Sequence, residues 1–118
     1  MKRILIVEDN EDNMELCLLV LERDFDVITS FNGKDGLSKI YSEAPDLILL
    51  DMSLPDVSGI EITKEIKANE KLKHIPIIAL TALGERCDRV QAMESGCDEY
   101  LEKPFEIKRL MDMVREFL

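Results

Sequence analysis

The sequence predicts an α/β fold: a doubly wound parallel sheet of five strands with helices on both faces. Three observations carry this reading: five short apolar runs, longer segments of helical period between them, and strict alternation of the two. Ile4 to Val7 forms the first strand, and Met14, Cys17, Leu18 and Leu21, at i, i+3, i+4, i+7, mark the first amphipathic helix. Val27 to Thr29 is the second strand, followed by a helix marked by Leu37, Ile40 and Tyr41. Leu47 to Leu50 is the third and most hydrophobic strand. Ser58, with Glu61 three residues on, reads as a capping box opening the third helix, whose inner face holds Ile62 and Ile66. Ile77 to Leu80 is the fourth strand. Val90, Met93 and Cys97 mark the fourth helix, and Gly96 is placed to end it in a left-handed conformation. A weaker strand at Tyr100 to Leu101 leads to a fifth helix carrying Ile107, Leu110, Met111 and Val114.

The 118 residues fit one domain, residues 1–118, with neither linker nor repeat, and the absence of Trp points to an aliphatic core. The formal charge of -10 argues against direct nucleic-acid binding, which depends on Lys and Arg displacing counterions. Cys17, Cys87 and Cys97 are odd in number, form no C-x-x-C pair and are joined by a single histidine, His74. They suit neither a zinc cage nor a disulfide framework, and are expected to be reduced packing residues of a cytoplasmic protein. The stripe of Cys87, Val90 and Met93 is expected to pack in the core, and His74 to be a surface loop residue. The opening apolar run stops at Glu8, too short for a secretory or membrane segment.

Chemistry concentrates at the predicted strand ends. Glu8 and Asp9 follow the first strand, Asp51 the third, Thr81 the fourth and Lys103 the fifth. In an open parallel sheet, ligands bind beyond the carboxyl ends where strand order reverses, and right-handed crossovers allow the first and third strands to be neighbours there. Three carboxylates in one place need a cation, since two unit charges about 4 Å apart interact by roughly 4 kcal/mol at intermediate dielectric. Mg²⁺ suits such a donor set, with Asp9 and Asp51 as direct ligands and Glu8 behind them or acting through water. Lys103 can neutralise a carboxylate and then a phosphoryl oxygen, and Thr81 offers a hydroxyl, with the small Ala82 beside it leaving approach open. Asp51 is the expected nucleophile of a phosphoryl transfer, because a carboxylate can form an acyl phosphate.

At these residues the chain resembles the receiver domains of bacterial two-component response regulators. The resemblance rests on V-E-D-N at 7 to 10, P-D-L-I-L-L-D-M-S-L-P-D-V-S-G at 45 to 59, T-A at 81 and 82, and K-P-F at 103 to 105. It implies the flavodoxin-like (βα)5 receiver fold with strand order 2-1-3-4-5. It also implies Mg²⁺ held by Glu8, Asp9, Asp51 and the backbone carbonyl of Ser53, and phosphorylation of Asp51 by a histidine kinase or histidine phosphotransfer protein of a phosphorelay. Thr81 and Lys103 would contact the phosphoryl group, and Thr81 and Tyr100 would switch. The peptide bond before Pro104 would be cis. A downstream protein target would read the face formed by the fourth helix, fifth strand and fifth helix. Leu54 replaces a common methionine without consequence, and Ser53 and Leu83 stand where the family tunes acyl-phosphate lifetime.

Other readings fall to single residues. A phosphatase with an aspartate nucleophile needs an acid two residues on, where this chain has Ser53, so slow self-dephosphorylation is expected and substrate turnover is not. A flavin or nucleotide binder would not place Glu8-Asp9-Asn10-Glu11-Asp12 after the first strand, and a calcium loop starting at Asp9 would need glycine and glutamate where Met14 and Val20 stand. Asp12 and Asp56 are expected to be solvated turn residues. An unphosphorylated scaffold would not need Glu8, Asp9, Asp51, Thr81 and Lys103 together. A start at Met1 favours a stand-alone regulator over a receiver cut from a larger regulator or hybrid kinase.

Overall fold

Five parallel strands in the order 2-1-3-4-5 form the sheet of this computed structural model, which describes residues 1–82 and 86–118. Side chains are described for residues 1–81 and 89–118, so the expectations for Leu83 and for the side chains of Ala82 and Cys87 lie outside the described residues. The elements are β1 (Arg3–Val7), α1 (Glu11–Leu21), β2 (Asp26–Ser30), α2 (Gly33–Glu43), β3 (Leu47–Asp51), α3 (Gly59–Lys67), β4 (Ile77–Ala82), α4 (Arg86–Ser95), β5 (Glu99–Lys103) and α5 (Ile107–Phe117). No helix among the described residues is long and apolar enough to cross a membrane.

Alternation along each strand divides the core into two layers. Ile4, Ile6, Leu47, Leu49, Ile78, Leu80 and Leu101 face α1 and α5, where Met14, Cys17, Leu21, Leu110, Met113 and Val114 meet them. Leu5, Val7, Ile48, Leu50, Ile77 and Ala79 face α2, α3 and α4 through Ile40, Ile62, Ile66 and Ala92. Burial on both faces explains why β1 and β3 read as unbroken apolar runs.

The strands extend past the apolar runs because backbone pairing does not stop where side chains turn polar. Asp51 pairs with Leu80, and Lys103 with Ala82, so both charged residues belong to the sheet they terminate. Helix starts follow capping chemistry: Asn10 accepts from the Asn13 N–H at 3.0 Å and Asn32 from the Asp35 N–H at 2.8 Å. Ser58 caps α3, but through the Ile60 N–H at 3.1 Å, one residue short of the expected box geometry. Gly96 ends α4 with φ of 110°, in the region expected for it.

Two helix faces depart from expectation. On α4, Val90 and Met93 are exposed, while Ala92 and Ser95 are buried. Small residues let α4 lie close to the sheet and to α3, which turns the larger apolar side chains outward. On α5, Ile107 is exposed and Met113 takes the buried place beside Leu110 and Val114.

Candidate functional site

The order 2-1-3-4-5 sends successive connections in opposite directions from β1 and β3, and the carboxyl ends of those strands form one crevice. Glu8 prolongs β1, its N–H donating to the Ser30 carbonyl at 3.0 Å. Asp51 closes β3 next door, Thr81 lies one residue beyond Asp51's partner Leu80 on β4, and Lys103 closes β5. Sheet register therefore gathers residues from distant parts of the chain at one edge.

Glu8, Asp9 and Asp51 each place a carboxylate oxygen within 4.8 Å of the others. Glu8 is 0% exposed and Asp51 3%, whereas Asp9 opens to solvent. Lys103 Nζ sits 2.8 Å from Glu8 Oε2 and 3.3 Å from Asp51 Oδ2, one cation facing two buried anions. Backbone donors complete the set: the Ser53 N–H bonds Asp51 Oδ1 at 2.9 Å and the Asn10 N–H bonds Glu8 Oε1 at 3.1 Å. Burial pushes the Glu8 carboxyl up, Lys103 opposes this, and the charge of Asp51 adds to it. Burial and then the neighbouring Asp51 raise Asp9 as well. Burial alone would lower Lys103, but its bond to Glu8 and the charges of Asp51 and Glu8 outweigh that and raise it. Glu8 and Asp9 resist ionisation in this site, the condition a divalent cation relieves.

Thr81 is 1% exposed, and its Oγ1 has no hydrogen-bond partner among the described residues. Glu8 Oε2, by contrast, is paired with the Lys103 ammonium at 2.8 Å. A buried orphan hydroxyl costs about 1 to 3 kcal/mol, so the place of Thr81 Oγ1 beside an acidic cluster fits a site shaped for a polar ligand. Oxygen donors, tight spacing and an orphaned hydroxyl suit a hard cation accompanied by an anion.

Tyr100 is half-buried against the inner layer of α2 to α4 and pairs with Ala79. The Arg89 guanidinium lies 5.3 Å from its ring centroid and also bonds Glu102 at 3.2 Å. Ser53 is an exposed loop residue whose N–H faces Asp51, and the Lys103-Pro104 bond is cis. His74 is exposed. Cys17 and Cys97 are buried free thiols, pushed by burial up to about 12 and about 11, which keeps them protonated and inert.

Asp56 is an exposed turn residue, as expected, but it also makes fixed contacts with another element. Its carboxylate accepts from the Gly33 N–H at 2.7 Å and the Lys34 N–H at 2.8 Å, at the start of α2. The partner stands more than twenty residues upstream, so local pattern carried no signal for it. Asp12, exposed in the first turn of α1, is favourably placed against the helix dipole.

A family model for the response regulator receiver domain matches residues 4–115. The polar-differentiation response regulator DivK of Brucella anthropi is 39% identical over 118 residues, covering 99% of this chain and 96% of that protein. The signal receiver domain of a signal transduction histidine kinase from Syntrophus aciditrophicus has a TM-score of 0.93 at 30% identity, covering 100% of this chain and 90% of that one. The receiver domain of a sensor histidine kinase from Pseudomonas aeruginosa PAO1, with a magnesium ion coordinated in its active site cleft, has a TM-score of 0.90 at 32% identity, covering 98% and 96%. The chain belongs to the response regulator receiver domain family of two-component signalling.

Proposed function

We propose that residues 1–118 act as one cytoplasmic receiver domain, a switch that accepts a phosphoryl group on Asp51 and passes the signal on by protein contact. The observation that carries this is the buried Asp51 carboxylate, held by the Ser53 N–H on one oxygen and facing Lys103 with the other, beside Glu8 and Asp9. Glu8, Asp9, Asp51 and the Ser53 carbonyl would hold Mg²⁺, and the magnesium in the Pseudomonas aeruginosa receiver supports that assignment. When bound, the ion neutralises charge on the acidic cluster and on phosphoryl oxygens.

Asp51 supplies an oxygen to phosphorus as the bond to the donor's imidazole nitrogen breaks, and that nitrogen leaves with the electron pair. Its donor is a histidine kinase or histidine phosphotransfer protein. Lys103, drawn from its pairing with Glu8, would neutralise a phosphoryl oxygen, and Thr81 Oγ1 would gain the partner it lacks. Movement of Thr81 would make room for Tyr100 and change the surface of α4, β5 and α5 seen by a downstream protein. With Ser53 where a leaving-group acid would stand, loss of the phosphoryl group is slow hydrolysis by the domain itself. The match along nearly all of DivK supports a stand-alone regulator; the two histidine-kinase receivers support service within a hybrid kinase as the second reading.

Intact mass after incubation with Mg²⁺ and acetyl phosphate tests the proposal. One phosphoryl adduct is expected, absent in Asp51→Asn and abolished by chelation. A wild-type chain unmodified by both acetyl phosphate and kinases would overturn it.

A further inference from the structure

The β1–β3 ladder, in which Val7 pairs with Leu50, sets Asp51 against Glu8 and Asp9, but Ser53 lies in the β3–α3 loop beyond that pairing. The loop leaves Asp51, passes Ser53 and reaches α3 at Gly59. Beside the packing of Leu54 and Val57, the exposed Asp56 ties the loop to α2, taking the first two N–H groups of that helix on its two carboxylate oxygens at 2.7 and 2.8 Å. Two charge-assisted bonds to a helix N-terminus fix position and orientation together.

Close packing leaves this contact little play. A Cβ on Gly33 would stand 2.7 Å from the Val57 carbonyl oxygen and 3.1 Å from Asp56 Oδ1, so α2 starts hard against the loop. One turn on, a Cβ on Gly36 would stand 2.8 Å from both methyl carbons of Val7. Val7 directly precedes Glu8 and Asp9. Helix α2 thus bridges the residue behind one pair of acidic groups and the loop behind Asp51 and Ser53.

We infer that Asp56 is a positioning residue for the metal site, registering the β3–α3 loop, and with it the Ser53 carbonyl, against Glu8 and Asp9 through helix α2. This rests on the Mg²⁺ receiver reading and adds to it a residue that touches neither metal nor phosphoryl group. Its helix-capping role alone is not the claim. Asn32 caps the same helix through the Asp35 N–H at 2.8 Å, without bonding the loop, and provides the control.

The experiment is calorimetric titration of the full chain with Mg²⁺ alone, paired with thermal unfolding. Asp56→Ala is expected to weaken Mg²⁺ binding about tenfold, as loss of a group that orients metal ligands does. Asp56→Asn, which retains one acceptor oxygen and the same volume, is expected to fall between, and it carries the comparison if Asp56→Ala does not fold. Asn32→Ala is expected to lower the melting temperature with Mg²⁺ affinity unchanged. Equal affinity in wild type and the folded Asp56 variants, or an equal loss in Asn32→Ala, overturns the positioning role alone. A wild-type chain that binds no Mg²⁺ overturns the receiver reading along with it, so the two failures are distinct.

Discussion

Lys103 Nζ lies 2.8 Å from Oε2 of Glu8, a carboxylate that is 0% exposed, and the pair joins residues ninety-five positions apart. Removing one member of a buried ion pair strands the other. Lys103→Ala is expected to cost about 2 to 4 kcal/mol at neutral pH, read by urea unfolding. The cost should shrink toward about pH 5, because the Glu8 carboxyl, already raised by burial, would rise further without the lysine and accept a proton. An equal cost at both pH values would show that Glu8 does not need Lys103.

Mg²⁺ should stabilise the fold more at about pH 7.5 than at about pH 5. Glu8 and Asp9 have carboxyls raised in the folded state, so their charged forms disfavour folding. The contribution of these two groups in the absence of metal is therefore most favourable below their unfolded values, about 4, and is lost as pH rises through the folded ones. Lys103 is raised above its unfolded value, so its contribution is lost only in strongly alkaline solution, outside this window. Thermal unfolding with and without Mg²⁺ at the two pH values measures the difference, and a larger metal effect at the lower pH contradicts the sign.

Thr81 carries a buried hydroxyl with no partner among the described residues. Replacing it with an isosteric apolar group removes the orphan, so Thr81→Val is expected to stabilise by up to about 1 kcal/mol. The same variant should still take a phosphoryl group but lose the accompanying change in the Tyr100 ring resonances. A large loss of stability would mean that the hydroxyl already has a native partner.

The alternation of runs was enough to order all ten elements, and the polar residues at strand ends were enough to mark one edge of the sheet. What local pattern could not show depends on contacts distant in sequence. Asp51 and Lys103 look like loop residues until their pairing with Leu80 and Ala82 is seen. Val90 and Met93 read as core because periodicity reports that a helix has an apolar face, and here the small Ala92 and Ser95 occupy the contact. Arg89 over Tyr100, and Asp56 on Gly33 and Lys34, leave no trace in spacing at all.

Gly59 is a further position where the strand end has no slack. A Cβ there would lie 2.5 Å from the Asp51 carbonyl oxygen and 2.8 Å from the Met52 Cα, both backbone atoms. Gly59→Ala is expected to destabilise by about 1 to 3 kcal/mol and to slow phosphorylation by acetyl phosphate, because the displaced backbone is that of the acceptor itself. Unchanged stability and rate would show that α3 can retreat without moving Asp51.

Of the three clustered carboxylates, only Asp51 is assigned as acceptor. Borohydride reduction converts an aspartyl phosphate to homoserine, and peptide mass mapping after treatment with acetyl phosphate and Mg²⁺ locates it. Homoserine at position 51 alone is the predicted result. Homoserine at position 9 in place of 51, or an unreduced chain that nevertheless carries a phosphoryl group, would contradict the account.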